Sequence, residues 1–290
     1  MKETARPCPT DPCAVSAPAV APGWRARLEL GLAPRAGRTV LAHKRQFGPL
    51  TVQRPFYPEG GPCHLFLLHP PGGVVGGDQL GVVVQVRAGA HALITTPGAA
   101  KFYRSAGPRA EQFLRLSVDA GGVLEWLPQE NILFPGANLR LRTEVDLDAD
   151  ARFLGWEVQS LGRPTVAERF TLGTADLGLR VRRDGAPLFS ERLRLNVGGG
   201  LDGPAGLRGF PVSGTLLATG GDAQDLAAVR DQAGPGGTLP WAATLVGDVL
   251  IARCLADGVE PVHRLFVALW GILRPRLLGR PACPPRIWST

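Results

Sequence analysis

Three stretches of this chain follow one pattern: VRAGAHALITT from Val86, VDAGGVLEWLP from Val118 and LDADARFLGWE from Leu147. Each gives an aliphatic residue, a polar one, Ala, a small or turn residue and then a second strand. Their starts lie 32 and 29 residues apart. Short strands joined by Gly/Asp turns at a period near ~30 residues imply stacked β-layers, because one such unit cannot cover its own apolar face. VRRDGAPLFSE, from Val181, reads as a looser fourth copy.

The remaining pattern agrees. RARLELGL and RTVLAHKRQFGPLTVQRPF alternate apolar and polar side chains as half-buried strands do. With 38 Gly and 27 Pro in 290 residues, tight turns abound and long helices have little room. Helix signals come late. DAQDLAAVRDQAG opens on an Asp222 cap and closes at Gly234, and EPVHRLFVALWGILRP puts Val262, Leu265, Phe266, Leu269, Trp270 and Leu273 on one stripe before Pro275 ends it. Between them, TLVGDVLIARCLAD alternates like a strand, and in the Pro-rich terminus Ile287 and Trp288 are expected to dock on the body or a partner. The expected fold is mainly β, stacked layers resembling a right-handed β-helix or solenoid, with about two α-helices near the C-terminus. Residues 1–23 read as a loose Pro/Ala-rich tail and 24–290 as one β-rich domain.

Most enzyme signatures are absent: no GxSxG, HExxH, Walker A or CxxC. GGGLDG, Gly198 to Gly203, fits GxGxxG, but Pro204, Gly206 and Gly209 stand where a phosphate-binding helix would begin, so a plain loop is expected. The five His are never paired at metal-ligand spacing, and five scattered Cys make neither a disulfide framework nor a closed zinc site. Charge is +7, yet with no basic run or RNA-binding aromatic motif, which suits a mildly basic surface better than a nucleic-acid module. No apolar run reaches membrane-spanning length and no signal peptide is legible, so a cytoplasmic protein is expected.

LHPPGGVVGGDQL, Leu68 to Leu80, is the densest turn region. Gly76 and Gly77 let another backbone approach, while His69 and Asp78 sit at its two ends. Asp78 there is either a ligand-facing carboxylate or a turn cap.

LTVQRPFYPEGGPCHLFLLHPPGGVVGGDQL, TTPGAAKFYRS, LEWLPQENILFPGA, GWEVQSLGRP and the closing PPRIW resemble, in order, the UreD (UreH) family of urease accessory proteins, from about Trp24 to Thr290. The resemblance implies a largely β fold and a non-enzymatic role beside UreF and the GTPase UreG. Together these load Ni²⁺ into apo-urease, whose metal-bridging lysine is carbamylated, with UreD passing the ion through an internal channel. No cofactor would be tightly bound and Ni²⁺ would be in transit. Matching family motifs puts Asp78, Glu157 and Glu191 on the nickel path, with His69, Lys101, Tyr103, Arg104, Glu125, Gln129 and Arg163 shaping the channel or an interface. Each has a structural alternative: Glu125 can pair with an Arg, and Tyr103 can be a core aromatic. Aligning the three repeats places Thr96, Pro128 and Glu157 at one equivalent position, where stacked layers can line a lumen. Rival readings are a β-solenoid hydrolase using Asp78 and Glu157 as an acid/base pair, and a nucleic-acid binder drawn by charge.

Overall fold

The computed structural model describes residues 23–196, 202–204, 206–232 and 239–289. The leader with Cys8 and Cys13, most of GGGLDG, and Gly234 lie outside the described residues. Each repeat crosses between two sheets that face one another. In chain order the first sheet takes β1 (Arg25–Arg35), β2 (Arg38–Phe47), β5 (Gln79–Val86), β8 (Ala110–Val118), β11 (Asn138–Leu147), β14 (Thr174–Arg183) and β15 (Ala186–Leu195). The second takes β3 (Thr51–Val52), β4 (Cys63–Leu68), β6 (His91–Thr95), β9 (Val123–Leu127), β12 (Arg152–Arg163), β16 (Val212–Thr219), β17 (Trp241–Val246) and β18 (Val249–Ala256). Between the faces run β7 (Ala100–Phe102) and β10 (Asn131–Leu133), while β13 (Glu168–Arg169) pairs with the end of β12.

The first sheet is ordered β15-β14-β11-β8-β5-β1-β2. Its middle strands β1, β5, β8, β11 and β14 are parallel, as successive turns of a solenoid require, and the hairpins β1–β2 and β14–β15 end the stack antiparallel. Val86 pairs with Val118 and Val118 with Leu147, so the sequence repeat is the strand register. The fourth copy differs. Val181 pairs with Val145, and Asp184 and Gly185 turn the chain back into β15 instead of across to the second sheet. Both turn residues have positive φ, a tight reversal that closes the stack.

Inward side chains form aliphatic rows across the turns. Leu30, Val84, Leu116, Val145 and Val181 face one another in register and are almost fully buried. The short third side has its own row of Val74, Phe102, Leu133 and Leu161, also buried. The Gly-rich loop belongs to this side. Val74 donates to the Lys101 carbonyl and its own carbonyl accepts from Tyr103, so the loop stacks on β7 as a rudimentary strand. A Cβ on Gly73 would collide with the Tyr103 ring and one on Gly76 with Ser105, which explains why this corner is glycine.

The second sheet is covered on both faces, by the first sheet and by the helices, so its strands are near-continuous apolar runs such as VLEWL and RFLGW. Helix α1 (Ala223–Arg230) starts at Asp222, whose carboxylate accepts from the Gln224 and Asp225 amides in a capping box. Helix α2 (Val259–Leu278) buries the expected stripe and also Arg274. It continues through Pro275 to a left-handed cap at Gly279, so the proline does not end it. The ring is exposed and the residue four back is Gly271, so the missing donor falls on an exposed side of the last turns. TLVGDVLIARCLAD is a hairpin, not one strand, because Gly247 takes positive φ between β17 and β18. Trp288 docks as expected, its Nε1 donating to Thr95 Oγ1 at 2.9 Å and its ring edge-on to Trp270.

Candidate functional site

One inward row breaks. Leu28, Val82 and Leu114 lead in register to Thr143, then Leu179 and Glu191. On the facing sheet, Glu157, Thr215 and Arg253 are direct neighbours on β12, β16 and β18. The two rows bond across the gap. Thr143 Oγ1 donates to Glu157 Oε1 at 2.5 Å, and Thr215 Oγ1 to Glu191 Oε1 at 3.0 Å. Arg253 Nε donates to Glu191 Oε2 at 2.7 Å. Polar side chains thus replace the core along a lane perpendicular to the strands.

Two cavities lie on this lane. The larger, about 240 Å³, is lined by His69, Lys101, Thr96, Pro128, Gln129, Thr143 and Glu157 among others. The smaller, about 30 Å³, is lined by Glu157, Gln159, Gly178, Glu191 and Thr215 with leucines around them. Glu157 lines both. Thr96, Pro128 and Glu157 share one cavity wall, in the equivalence the repeat alignment gave. The register Thr95 to Leu127 and Trp126 to Gly155, continued one and two residues, brings them level.

The electrostatics differ along the lane. Burial pushes the Glu157 carboxyl up to about 7; bonds from Thr143 and Gln159 restrain the rise and the nearby Glu191 charge adds to it. Its partial exposure is to the cavities it lines. Glu191 instead has a guanidinium partner, with its side chain 33% exposed and that of Arg253 51% exposed. At the wide end, burial lowers the His69 pKa against the opposing pull of Asp78, which favours the neutral imidazole. Beside this one imidazole the donors along the lane are mostly oxygens, and neither Cys63 nor Cys254 lines either cavity: burial raises Cys63 to about 11 and Cys254 to about 12, leaving both protonated. No group of three or more His, Cys, Asp or Glu suited to a metal occurs among the described residues.

The other expected site residues fall in four places. Asp78, expected on the ion path, is buried with its oxygens accepting from the Trp24 and Val75 amides at 2.8 and 2.9 Å, which pins the first strand to the Gly-rich loop. Tyr103 donates to the Gly72 carbonyl at 2.9 Å, and Arg104 is exposed with its stem against Gly136. Arg163 pairs with Glu168 at 2.7 Å and stacks on Phe134, at the edge of a broad groove beside α2. Glu125 lies on the far face of the second sheet, away from both cavities. It is fully buried and bonded to Arg274 at 3.0 Å, Trp270 at 2.6 Å and His91 at 2.7 Å, so its Arg-pairing alternative is the one realised. Thr143, Gln159, Thr215 and Arg253 were missed. The signal for Thr143 was present: NLRLRTEVDL alternates strictly, and Thr143 alone is polar among its inward positions.

Fold and site together define a class: a β-solenoid with a polar, largely oxygen-lined lane between its two sheets. No helix among the described residues is long and apolar enough to cross a membrane. The family model described as UreD urease accessory protein matches residues 25–289. A curated relative named urease accessory protein UreD from Azoarcus sp. (strain BH72) is 50% identical, covering 94% of this chain and 96% of its own length. Relatives of the same name from Alkalilimnicola ehrlichii and Alcanivorax borkumensis are 47% and 45% identical, over 97% and 92% of this chain and 96% and 93% of theirs. The chain belongs to the UreD urease accessory protein family.

Proposed function

We infer that this protein is a non-enzymatic, cytoplasmic nickel-delivery scaffold that acts with UreF and the GTPase UreG on apo-urease, passing Ni²⁺ along the lane between its sheets. The observation that supports this reading is Glu157, which lines both cavities and so stands where a route between them would pass. Divalent nickel binds imidazole and thiolate tightly, so a conduit with paired His and Cys would hold its cargo. Single carboxylates separated by hydroxyls and amides offer weaker stations in series, which favours release as well as capture. From Thr96 to Arg253 the lane crosses four strand spacings, about 19 Å at the usual distance between strands. Asp78 serves this reading by shaping the loop at the wide end, not by touching the ion.

The test is reconstitution of apo-urease with the three accessory proteins, GTP, bicarbonate and limiting Ni²⁺. Glu157→Ala should leave the complex assembled and lower urease activation severalfold; activation equal to wild type would sink the route. The acid/base hydrolase reading fares worse. Asp78 holds the Trp24 and Val75 amides and lines neither cavity, so it does not stand across a cleft from Glu157 as an acid/base partner must. The nucleic-acid reading is also weakened, since the arginines on the outer face of the first sheet are largely matched by Glu111, Glu144, Asp146 and Asp176.

A further inference from the structure

The narrow end of the lane is not open as the Glu157 station is. Both carboxylates line the narrow cavity, yet their partners differ in kind. Glu157 accepts from a hydroxyl and an amide, both neutral, so a cation can approach it without displacing another. Glu191 accepts from Thr215 on one oxygen and takes two guanidinium nitrogens of Arg253 on the other, at 2.7 and 2.5 Å. While the guanidinium holds Oε2, its charge offsets the carboxylate and a divalent cation cannot chelate both oxygens. The register puts Arg253 in place for this: it is the next residue across from Thr215, itself next across from Glu157, so it stands at the end of the same row.

The geometry points to Arg253 as a tethered cation that closes this mouth, occupying the Glu191 seat until a mobile divalent cation or a partner's anionic group draws it away. This rests on the ion-route reading above. Arg253 is suited to leaving. Half of its side chain is in solvent, where an ion pair contributes little, and a hydrated guanidinium loses little on release. It also lies 5.6 Å from the centroid of the Phe189 ring, which can keep hold of it after it lets Glu191 go. The consequence is a lane with one free seat inside and one guarded seat at its rim. Cargo on Glu157 is retained until the rim is unlocked, and solvent cations are kept out in the meantime.

A purely structural role, strapping β15 to β18 across the end of the sandwich, is the competing account, and the test separates them. The full chain is labelled with ¹³C at leucine methyls, and Leu179 and Leu193, which line the narrow cavity, are followed while Ni²⁺ alone is titrated in. Paramagnetic broadening at these methyls reports the ion at the Glu191 seat. In Arg253→Gln the midpoint should fall about fivefold or more, the scale of one exposed ion pair. Adding Glu191→Gln should abolish the gain, and Arg253→Lys should stay near wild type. If Arg253→Gln lowers the melting temperature but leaves the midpoint where it was, Arg253 is a strap and the gate is overturned while the route stands. No broadening at any Ni²⁺ concentration in either protein overturns both.

Discussion

Glu157 is unusual as a single residue because burial desolvates it and no cationic neighbour neutralises it. The protonated form is therefore favoured in the folded chain, with the pKa raised from 4.5 to about 7. The sign follows. An acid whose folded pKa is raised contributes stability that is complete below the unfolded value and disappears as pH rises through the folded one. Between pH 4.5 and about 7, then, the protein should lose stability relative to Glu157→Gln, which keeps the shape and cannot ionise. Urea denaturation of both proteins at pH 5 and pH 8 measures this; parallel curves at the two pH values would refute it. The carboxylate itself was legible from its motif and its repeat position. Its environment was not, because Thr143 reaches it across the gap from the facing sheet, a meeting that composition does not reveal. Asp78 shows the opposite limit. Its turn chemistry was readable from GGD, but that Trp24 is the amide it holds, 54 residues away in sequence, was not.

Among the elements, α2 is attached by a buried charge network as well as by apolar contacts. Arg274 reaches from its last turns to Glu125 on β9 and to Glu59 before β4, while His64 and His91 bond the same two carboxylates. Arg274, Glu125 and His64 are almost fully buried, so removing one partner strands the others. Arg274→Met should destabilise the fold by about 3–5 kcal/mol, read by chemical denaturation, and a loss under 1 kcal/mol would contradict the network. The difference is pH-dependent. Burial pushes Glu59 up, but bonds from His64 and Arg274 outweigh it and hold the group at about 2, and Glu125 is lowered by its partners in the same way. Depressed carboxylate pKa values contribute stability that is full above the unfolded value of 4.5 and fades as pH falls toward 2, so the two proteins should converge in acid.

Pro275 makes the complementary case within the same helix. It is exposed, so Pro275→Ala should restore one backbone bond and raise stability by about 1–3 kcal/mol, with a higher melting temperature as the check. The sequence reading stopped the helix there because proline usually does; beyond the proline, Leu277 still packs on the apolar cluster and the helix runs on to its Gly279 cap. Arg274 was overlooked for a related reason. A charge on a hydrophobic stripe reads as a solvated end until its partners on other strands are known.

For the whole molecule, the closing segment acts as a clasp. Trp288 bridges Thr95 and Trp156 on the second sheet to Trp270 on α2. Truncation before Pro284 should thus lower the melting temperature by several degrees, on the order of 2 kcal/mol for a half-buried tryptophan lost. It should leave the Glu157 lane chemically intact. An unchanged melting curve would show that the segment serves only a partner. The solenoid was legible because its period is local: three copies of one turn pattern fix the spacing that the register Val86, Val118 and Leu147 then obeys. Its ends were not, since a last copy that reverses instead of crossing looks almost the same in sequence.

Because the lane runs across the strands, its residues Thr96, Pro128 and Glu157 belong to successive coils. This stretch is consequently counted in whole windings, each adding about 4.8 Å, while its width is fixed by the roughly 10 Å between facing sheets. A relative that gained or lost one winding would lengthen or shorten the journey of the cargo by a discrete step and keep every other station at its original bore. Such a corridor can be extended like a staircase, one tread at a time, without redesigning either landing.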